Sequence, residues 1–281
     1  MKVYILTDME GITGVVHPDQ LSIEGKEYNR ARKLFTGDVN AAIEGAVQAG
    51  AKEIVVCEGH GSMRNILIED LHEKASLILG PAEYKSYCQI IDLDDSFDAA
   101  VFVGFHAKAG TEKAILSHTW VGSAIHHFKI NGDVLGETGI DAAICGEFGV
   151  PVVCVTGDDA LAKEAKETLG QQVNTVVVKK AIARTIAKCY PPSASSKMIT
   201  STVKNSLQDI SKYPIYKVKL PVTIEIGFYM NQMAYKASQL DGVERITDRD
   251  VLIKGDNFIP TITKAWQAIA QSLLKTPEWM A

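Results

Sequence analysis

The chain opens on an apolar run, Lys2-Val3-Tyr4-Ile5-Leu6-Thr7, that ends directly in Asp8-Met9-Glu10-Gly11. Residues two apart share one side of an extended chain, so Asp8 and Glu10 project together where a buried strand runs out. Two carboxylates in such a place are costly unless a cation or hydrogen-bond donors compensate them. The pattern then recurs with histidine. Ile54-Val55-Val56-Cys57 leads into Glu58-Gly59-His60-Gly61, and the apolar stretch from Ala99 to Phe105 leads into His106. Open α/β sheets bind ligands outside the carboxyl ends of their strands, so Asp8, Glu10, His60 and His106 are expected to converge there as a metal site.

The rest of the chain supplies the helices such a sheet needs. Val39, Ala42, Ile43, Ala46 and Val47 fall on one helical face that stops at Gly50. Lys52 to Cys57 reads as the second strand and Ala75 to Leu79 as a short third. Ala99 to Phe105 reads as a central strand covered on both faces. Ala114 to Trp120 looks extended. His127 to Leu135, turning on Asn131-Gly132, reads as a hairpin with a type I′ turn. A helix from Gly136 to Phe148, a strand from Pro151 to Val155, a helix from Ala160 to Leu169 and a strand from Val173 to Val178 follow.

This alternation predicts an α/β fold with a mostly parallel sheet flanked by helices. The proline- and serine-rich stretch at Tyr190 to Ser196 marks a composition shift. Residues 1–190 are therefore expected to form the metal-binding core domain, and 191–281 a smaller α+β domain. In the latter, a helix is expected near Ser201 to Leu207 and strands at Tyr216 to Leu220, Val222 to Ile226 and Val251 to Ile253. A closing helix from Thr261 to Leu274 is placed to pack back on the core.

Composition excludes several functions. With 281 residues and a formal net charge of −5, the chain lacks the basic surface that nucleic acids and anionic membranes require. No apolar run approaches the roughly 18 residues of a membrane span, and no signal peptide precedes the first strand, so a cytoplasmic protein is expected. Cys57, Cys88, Cys145, Cys154 and Cys189 are scattered, without a CxxC pair, and read as reduced, mostly buried thiols. Phosphate-binding glycine loops and the GxSxG elbow are absent. Cys57 as a nucleophile beside His60 is opposed by its place inside an apolar strand.

Other polar residues have ordinary readings. Glu58 suits a surface or supporting role. Glu137, opening a helix, is well placed beside the positive end of the helix dipole, an effect of about 0.3–1 kcal/mol. His118 lies between apolar neighbours, as a core histidine does. Asp158 reads as a helix N-cap. His126 and His127 are adjacent on a strand and unsuited to sharing an ion. Arg30, Arg32 and Lys33 read as a solvated helix face.

Taken together, Thr7-Asp8-Met9-Glu10-Gly11-Ile12, His60-Gly61-Ser62-Met63-Arg64-Asn65, Gly104-Phe105-His106-Ala107, Ser117-His118 and Asn131-Gly132-Asp133-Val134-Leu135-Gly136-Glu137 resemble the zinc D-aminopeptidases of the DppA type. The resemblance runs in register from the first strand to about Lys188, and more loosely beyond. It implies two Zn²⁺ ions per chain held by Asp8, Glu10, His60, His106 and Glu137, with Asp8 bridging and His118 as the catalytic side chain. It also implies a two-domain fold, a ring-like homo-oligomer and short peptides carrying D-amino acids as substrates, cleaved by metal-activated hydroxide. Three carboxylates, two neutral imidazoles, two divalent ions and one hydroxide sum to zero charge, as a partly buried site requires. The nitrogen and oxygen ligands also suit Mn²⁺ or Co²⁺. The competing readings are a two-metal amidohydrolase or phosphoesterase of other specificity and a noncatalytic peptide-binding protein linked to uptake.

Overall fold

The computed structural model describes residues 1–81 and 89–274. Its first half runs β1 (Lys2–Thr7), α1 (Tyr28–Gln48), β2 (Glu53–Glu58), β3 (Ser76–Ile78), β4 (Ala99–Val103), β5 (Ile125–Ile130), β6 (Asp133–Val134) and α2 (Glu137–Glu147). The second half runs β7 (Val152–Asp158), α3 (Asp159–Leu169), β8 (Asn174–Ala183), β9 (Ile186–Cys189) and α4 (Pro192–Leu207), then β10 (Val222–Phe228), α5 (Asn231–Ala237), β11 (Val243–Arg245), β12 (Asp250–Gly255) and α6 (Phe258–Ser272).

Seven strands form the main sheet in the order β3-β2-β1-β4-β7-β8-β9. All neighbours are parallel except β8 and β9. The α/β expectation is met, and β1 and β4 lie at the centre, buried on both faces as their unbroken apolar runs dictate. The strand order reverses between β1 and β4. From β1 the chain proceeds outward through β2 and β3, then returns to the other side of β1 at β4. Loops leaving β1 and β4 therefore diverge and open a crevice at the carboxyl ends of the strands.

The second sheet is antiparallel, in the order β11-β12-β10-β5-β6. The hairpin expected at His127 to Leu135 is present, with Asn131 and Gly132 at positive φ as a type I′ turn demands. Its strand β5 pairs with β10 from the far end of the chain, Phe128 opposite Ile226. One apolar cluster, including Phe128, Ile224, Ile253 and Phe258 together with Leu6, Phe102 and Ile140, joins this sheet and α6 to the main sheet.

Several expectations shift. Ala114 to Trp120 is not a strand but a chain of turns, with Lys113, Leu116 and Trp120 at positive φ. Tyr216 to Leu220 also lacks strand pairing. The helix expected at Ser201 begins at Pro192, because a proline at the first helical position gives up only an N–H that has no helical partner. This helix packs on α1, where the Thr200 hydroxyl donates to the Ala41 carbonyl at 2.8 Å. Cys57, Cys145 and Cys154 are buried and Cys189 is exposed, whereas Cys88 lies outside the described residues.

Candidate metal centre

Asp8 and Glu10 lie on the turn leaving β1, which nests against the turn leaving β4. The Asp8 N–H donates to Val103 O at 2.8 Å and the Gly11 N–H to Gly104 O at 2.7 Å. Glycine is required at both places. A Cβ at Gly11 would stand 1.9 Å from Phe105 O, and one at Gly104 would stand 2.1 Å from Asp8 O. This approach brings the carboxylates to His106, two residues beyond Gly104. Lys179, fully buried on β8, closes the back of the first turn by donating to the carbonyls of Glu10, Ile12 (2.8 Å) and Val15.

His60 arrives on the loop after β2. Glu58 is the last residue of β2, is completely buried, and shapes that loop. Its carboxylate accepts from the backbone N–H groups of Asn65 (2.6 Å) and Ile66 (2.9 Å) and from the Asn65 side chain. The same Asn65 amide donates to His60 O at 2.8 Å. The surface alternative for Glu58 is thus ruled out, and the supporting one holds. Arg32 also contributes here, donating to Asn65 O at 2.6 Å, so it is not simply a solvated residue.

Four of the five side chains meet in pairs around the fifth. Asp8 Oδ1 is 3.1 Å from His60 Nδ1 and Asp8 Oδ2 is 3.3 Å from His106 Nε2. Glu10 Oε2 is 3.0 Å from His60 Nδ1, and Glu137 Oε1 is 3.2 Å from His106 Nε2. Glu137, the first residue of α2, also accepts from the Trp120 N–H at 2.7 Å. It therefore belongs to this centre and not merely to the helix dipole. All of these carboxylates and His106 are buried.

Electrostatics here are those of a crowded ionic site. Burial and then Glu10 push Asp8 up to about 7. Burial also disfavours charge on Glu10 and Glu137, yet His60 and His106 respectively hold these acids below the usual carboxylate range. Burial works against the imidazolium forms of His60 and His106, but Glu10 and Glu137 raise both well above an ordinary histidine. The imidazoles thus serve as the cations for Glu10 and Glu137 while Asp8 stays undercompensated, and divalent ions with neutral imidazole ligands would compensate all three acids. Asp8 Oδ2, Glu10 Oε2 and His106 Nε2 are buried without a properly oriented hydrogen-bond partner. The donor atoms of Asp8, Glu10 and His106, and those of His106, His118 and Glu137, each fall within 4.8 Å of one another. The residues fit metal ions.

His118 projects from the loop of turns between β4 and β5. Its Nδ1 lies 2.8 Å from Leu116 O, while Nε2 stands 3.9 Å from both Glu10 Oε1 and Glu137 Oε1. Two elements hold this loop. Asp158 accepts from the Ile115 N–H (2.7 Å) and caps α3 through the Leu161 N–H (2.8 Å), confirming its N-cap reading. Arg184, at the tip of the β8–β9 hairpin, donates to Ser117 O at 2.5 Å. Burial, then His106, lower the affinity of His118 for a proton. It is not a core histidine, since it faces a cavity of about 480 Å³ shared with Asp8, Glu10, His60 and Glu137.

Sequence reasoning did not single out Gln89, Asp141 or Lys179. Gln89 lines the cavity and donates to Asp141 at 2.6 Å; Asp141, one helical turn after Glu137, is pushed well up by burial and by Glu137. Its position four residues after Glu137 was the available signal. Cys57 is no nucleophile: burial pushes its thiol up to about 11, and the sulfur donates to Gln89 O. Away from the centre, His127 meets Glu225 at 2.9 Å and Asp250 at 3.8 Å, but the Lys129 ammonium already neutralises Glu225 at 2.7 Å.

This carboxylate–histidine centre, suited to cations, lies at the switch point of a mostly parallel sheet, and comparison with known proteins makes the chain a metal-dependent hydrolase. The D-aminopeptidase family model (peptidase family M55) matches residues 1–267, and the chain belongs to that family. A D-aminopeptidase of Bacillus subtilis strain 168 is 36% identical over 247 residues, covering 87% of each chain. A solved structure, the Zn-dependent D-aminopeptidase DppA from Bacillus subtilis, a self-compartmentalizing protease, is similar with a TM-score of 0.94 at 31% identity, over 99% of this chain and 100% of that one.

Proposed function

We propose that this chain is a two-zinc aminopeptidase that releases an N-terminal D-amino acid from short peptides and amides. The observation that carries the reading is the position of Asp8, whose two oxygens face His60 on one side and His106 on the other. Asp8, Glu10, His60, His106 and Glu137 would hold the ions, with Asp8 placed between the two histidines so that both ions could share it. Ions bound there would supply an activated water and a Lewis acid for the scissile carbonyl.

His118 is assigned to proton transfer instead of ligation. Its Nε2 is farther from the carboxylates than are the nitrogens of His60 and His106, and its side chain is more exposed, 19% against 1% for His106. With Nδ1–H donating to Leu116 O, Nε2 is the unprotonated nitrogen, and burial favours this neutral state. Nε2 takes the proton released as water adds to the carbonyl carbon. It returns that proton to the leaving nitrogen as the C–N bond breaks. An ion held at this floor would take the lone pair of a free α-amine as a ligand, which an acylated nitrogen does not offer.

Family membership supports the D preference, and the self-compartmentalizing relative supports a homo-oligomer, proposed here as a ring in the cytoplasm. Among the described residues no helix is long and apolar enough to cross a membrane. Exposed Ile182 and Ile186 at the β8–β9 tip suit contact between copies. Turnover of D-Ala-D-Ala, L-Ala-L-Ala and N-acetyl-D-Ala-D-Ala tests the activity. The first should be cleaved, the acetylated peptide should be nearly inert, and the L,L peptide slower by on the order of 10²-fold. Equal cleavage of acetylated and free peptides would end the aminopeptidase reading, and faster L,L cleavage its stereochemical half.

A further inference from the structure

The cavity before the carboxylate–histidine centre has an ionic floor and an apolar wall. Trp120, Val121 and Trp266 form that wall, and Met63 also faces the cavity. The two indoles meet edge to face with centroids 5.4 Å apart, and Phe128 packs against Trp120 at 5.0 Å in the same manner. Trp120, Val121 and Trp266 pack on the main apolar cluster yet are only partly buried. All three line the cavity, where an apolar group displacing water from them is favoured.

The backbone adds an independent observation. Trp120 adopts φ of +51°, a left-handed conformation that bulky residues rarely occupy. It is held there by its N–H donating to Glu137 Oε1 and by its ring packing between Phe128 and Trp266. Backbone strain of this kind persists where the surrounding structure enforces it, commonly at ligand-contacting positions. One residue thus ties the wall to the ionic floor, and α6 supplies the other indole.

We infer that this wall accepts a substrate side chain, and that the preferred substrates are peptides with a leucine- or phenylalanine-sized apolar residue next to the scissile bond. This rests on the aminopeptidase reading and extends it. An alanyl side chain is too short to cover two indoles and a valine. The cavity, about 480 Å³, falls within the range of sites that enclose larger organic ligands.

Two substrate series test the inference and distinguish the residue that meets the wall. D-Ala, D-Leu and D-Phe amides vary the N-terminal residue, whereas D-Ala-D-Ala, D-Ala-D-Leu and D-Ala-D-Phe vary the one after it. In one series kcat/KM should rise about 10-fold or more from alanine to the bulky residue, and Trp266→Ala should bring that ratio close to one. Val121→Thr, of similar shape but polar, should lower the ratio several-fold and decides the matter if Trp266→Ala does not fold. Alanyl substrates turned over as fast as bulky ones in both series, or a ratio unchanged in the folded variants, overturns the inference. Loss of turnover on every free-amine D substrate, alanyl ones included, overturns the aminopeptidase reading and this inference with it.

Discussion

The imidazole rings of His106 and His118 stack face to face, their centroids 4.0 Å apart and their planes 11° from parallel. Stacking fixes His118 without using either of its ring nitrogens. Burial, and then His106, lower the affinity of His118 for a proton. One ring is buried among carboxylates while the other faces the cavity, and the proposed division between metal holding and proton transfer rests on that difference.

His118→Ala should therefore retain its metal and lose turnover by on the order of 10²-fold or more. Metal analysis beside steady-state rates checks this. Loss of metal in the variant would make His118 a ligand.

Glu58→Ala should loosen the loop that carries His60. It leaves the Asn65 and Ile66 N–H groups buried without an acceptor, at about 1–3 kcal/mol each. Urea unfolding should show that loss of stability, and metal titration should show weaker affinity.

Lys179→Met keeps much of the apolar volume but deprives three carbonyls, those of Glu10, Ile12 and Val15, of their donor. The expected destabilisation is on the order of 3 kcal/mol or more, again with weakened metal affinity because Glu10 lies on the affected turn. Unfolding curves with and without added zinc separate the two effects.

Asp38 gives a prediction in pH. It is buried, accepts from the Thr13 N–H at 2.8 Å, and is pushed up to about 6 chiefly by burial. The folded chain thus binds this proton more tightly than the unfolded chain, and the contribution of Asp38 to stability falls as pH rises from about 4 through about 6. Asp38→Asn keeps an oxygen for Thr13 but has no charge to bury. Its stability relative to wild type should increase by on the order of 2–3 kcal/mol between those pH values. Parallel stability curves for the two proteins would contradict this.

Much of the fold and of the centre could be read directly from residues. The apolar runs of β1 and β4 require burial on both faces, and parallel strands present their carboxyl ends on one edge, so Asp8, Glu10, His60 and His106 could be brought together without knowing the strand order. Glu137 and His118 were not legible from pattern alone. The first opens a helix like any dipole-complementing acid, and the second sits in turns whose positive φ at Lys113, Leu116 and Trp120 no periodicity encodes. Lys179 was hidden more deeply. It sits in the charged second half of β8, and the carbonyls it serves are 164 to 169 residues away in the chain. The pairing of β5 with β10 was hidden for the same reason, since periodicity indicates a strand's faces and not its distant neighbour.

The proposed sharing of Asp8 by two metal ions underlies the whole reading of the site. Elemental analysis of the purified chain and of Asp8→Asn tests it most directly. The account predicts close to two zinc-type ions per wild-type chain and the loss of both in the variant, because removing the shared anion weakens each ion and leaves their repulsion unscreened. Undiminished metal content in Asp8→Asn would contradict it.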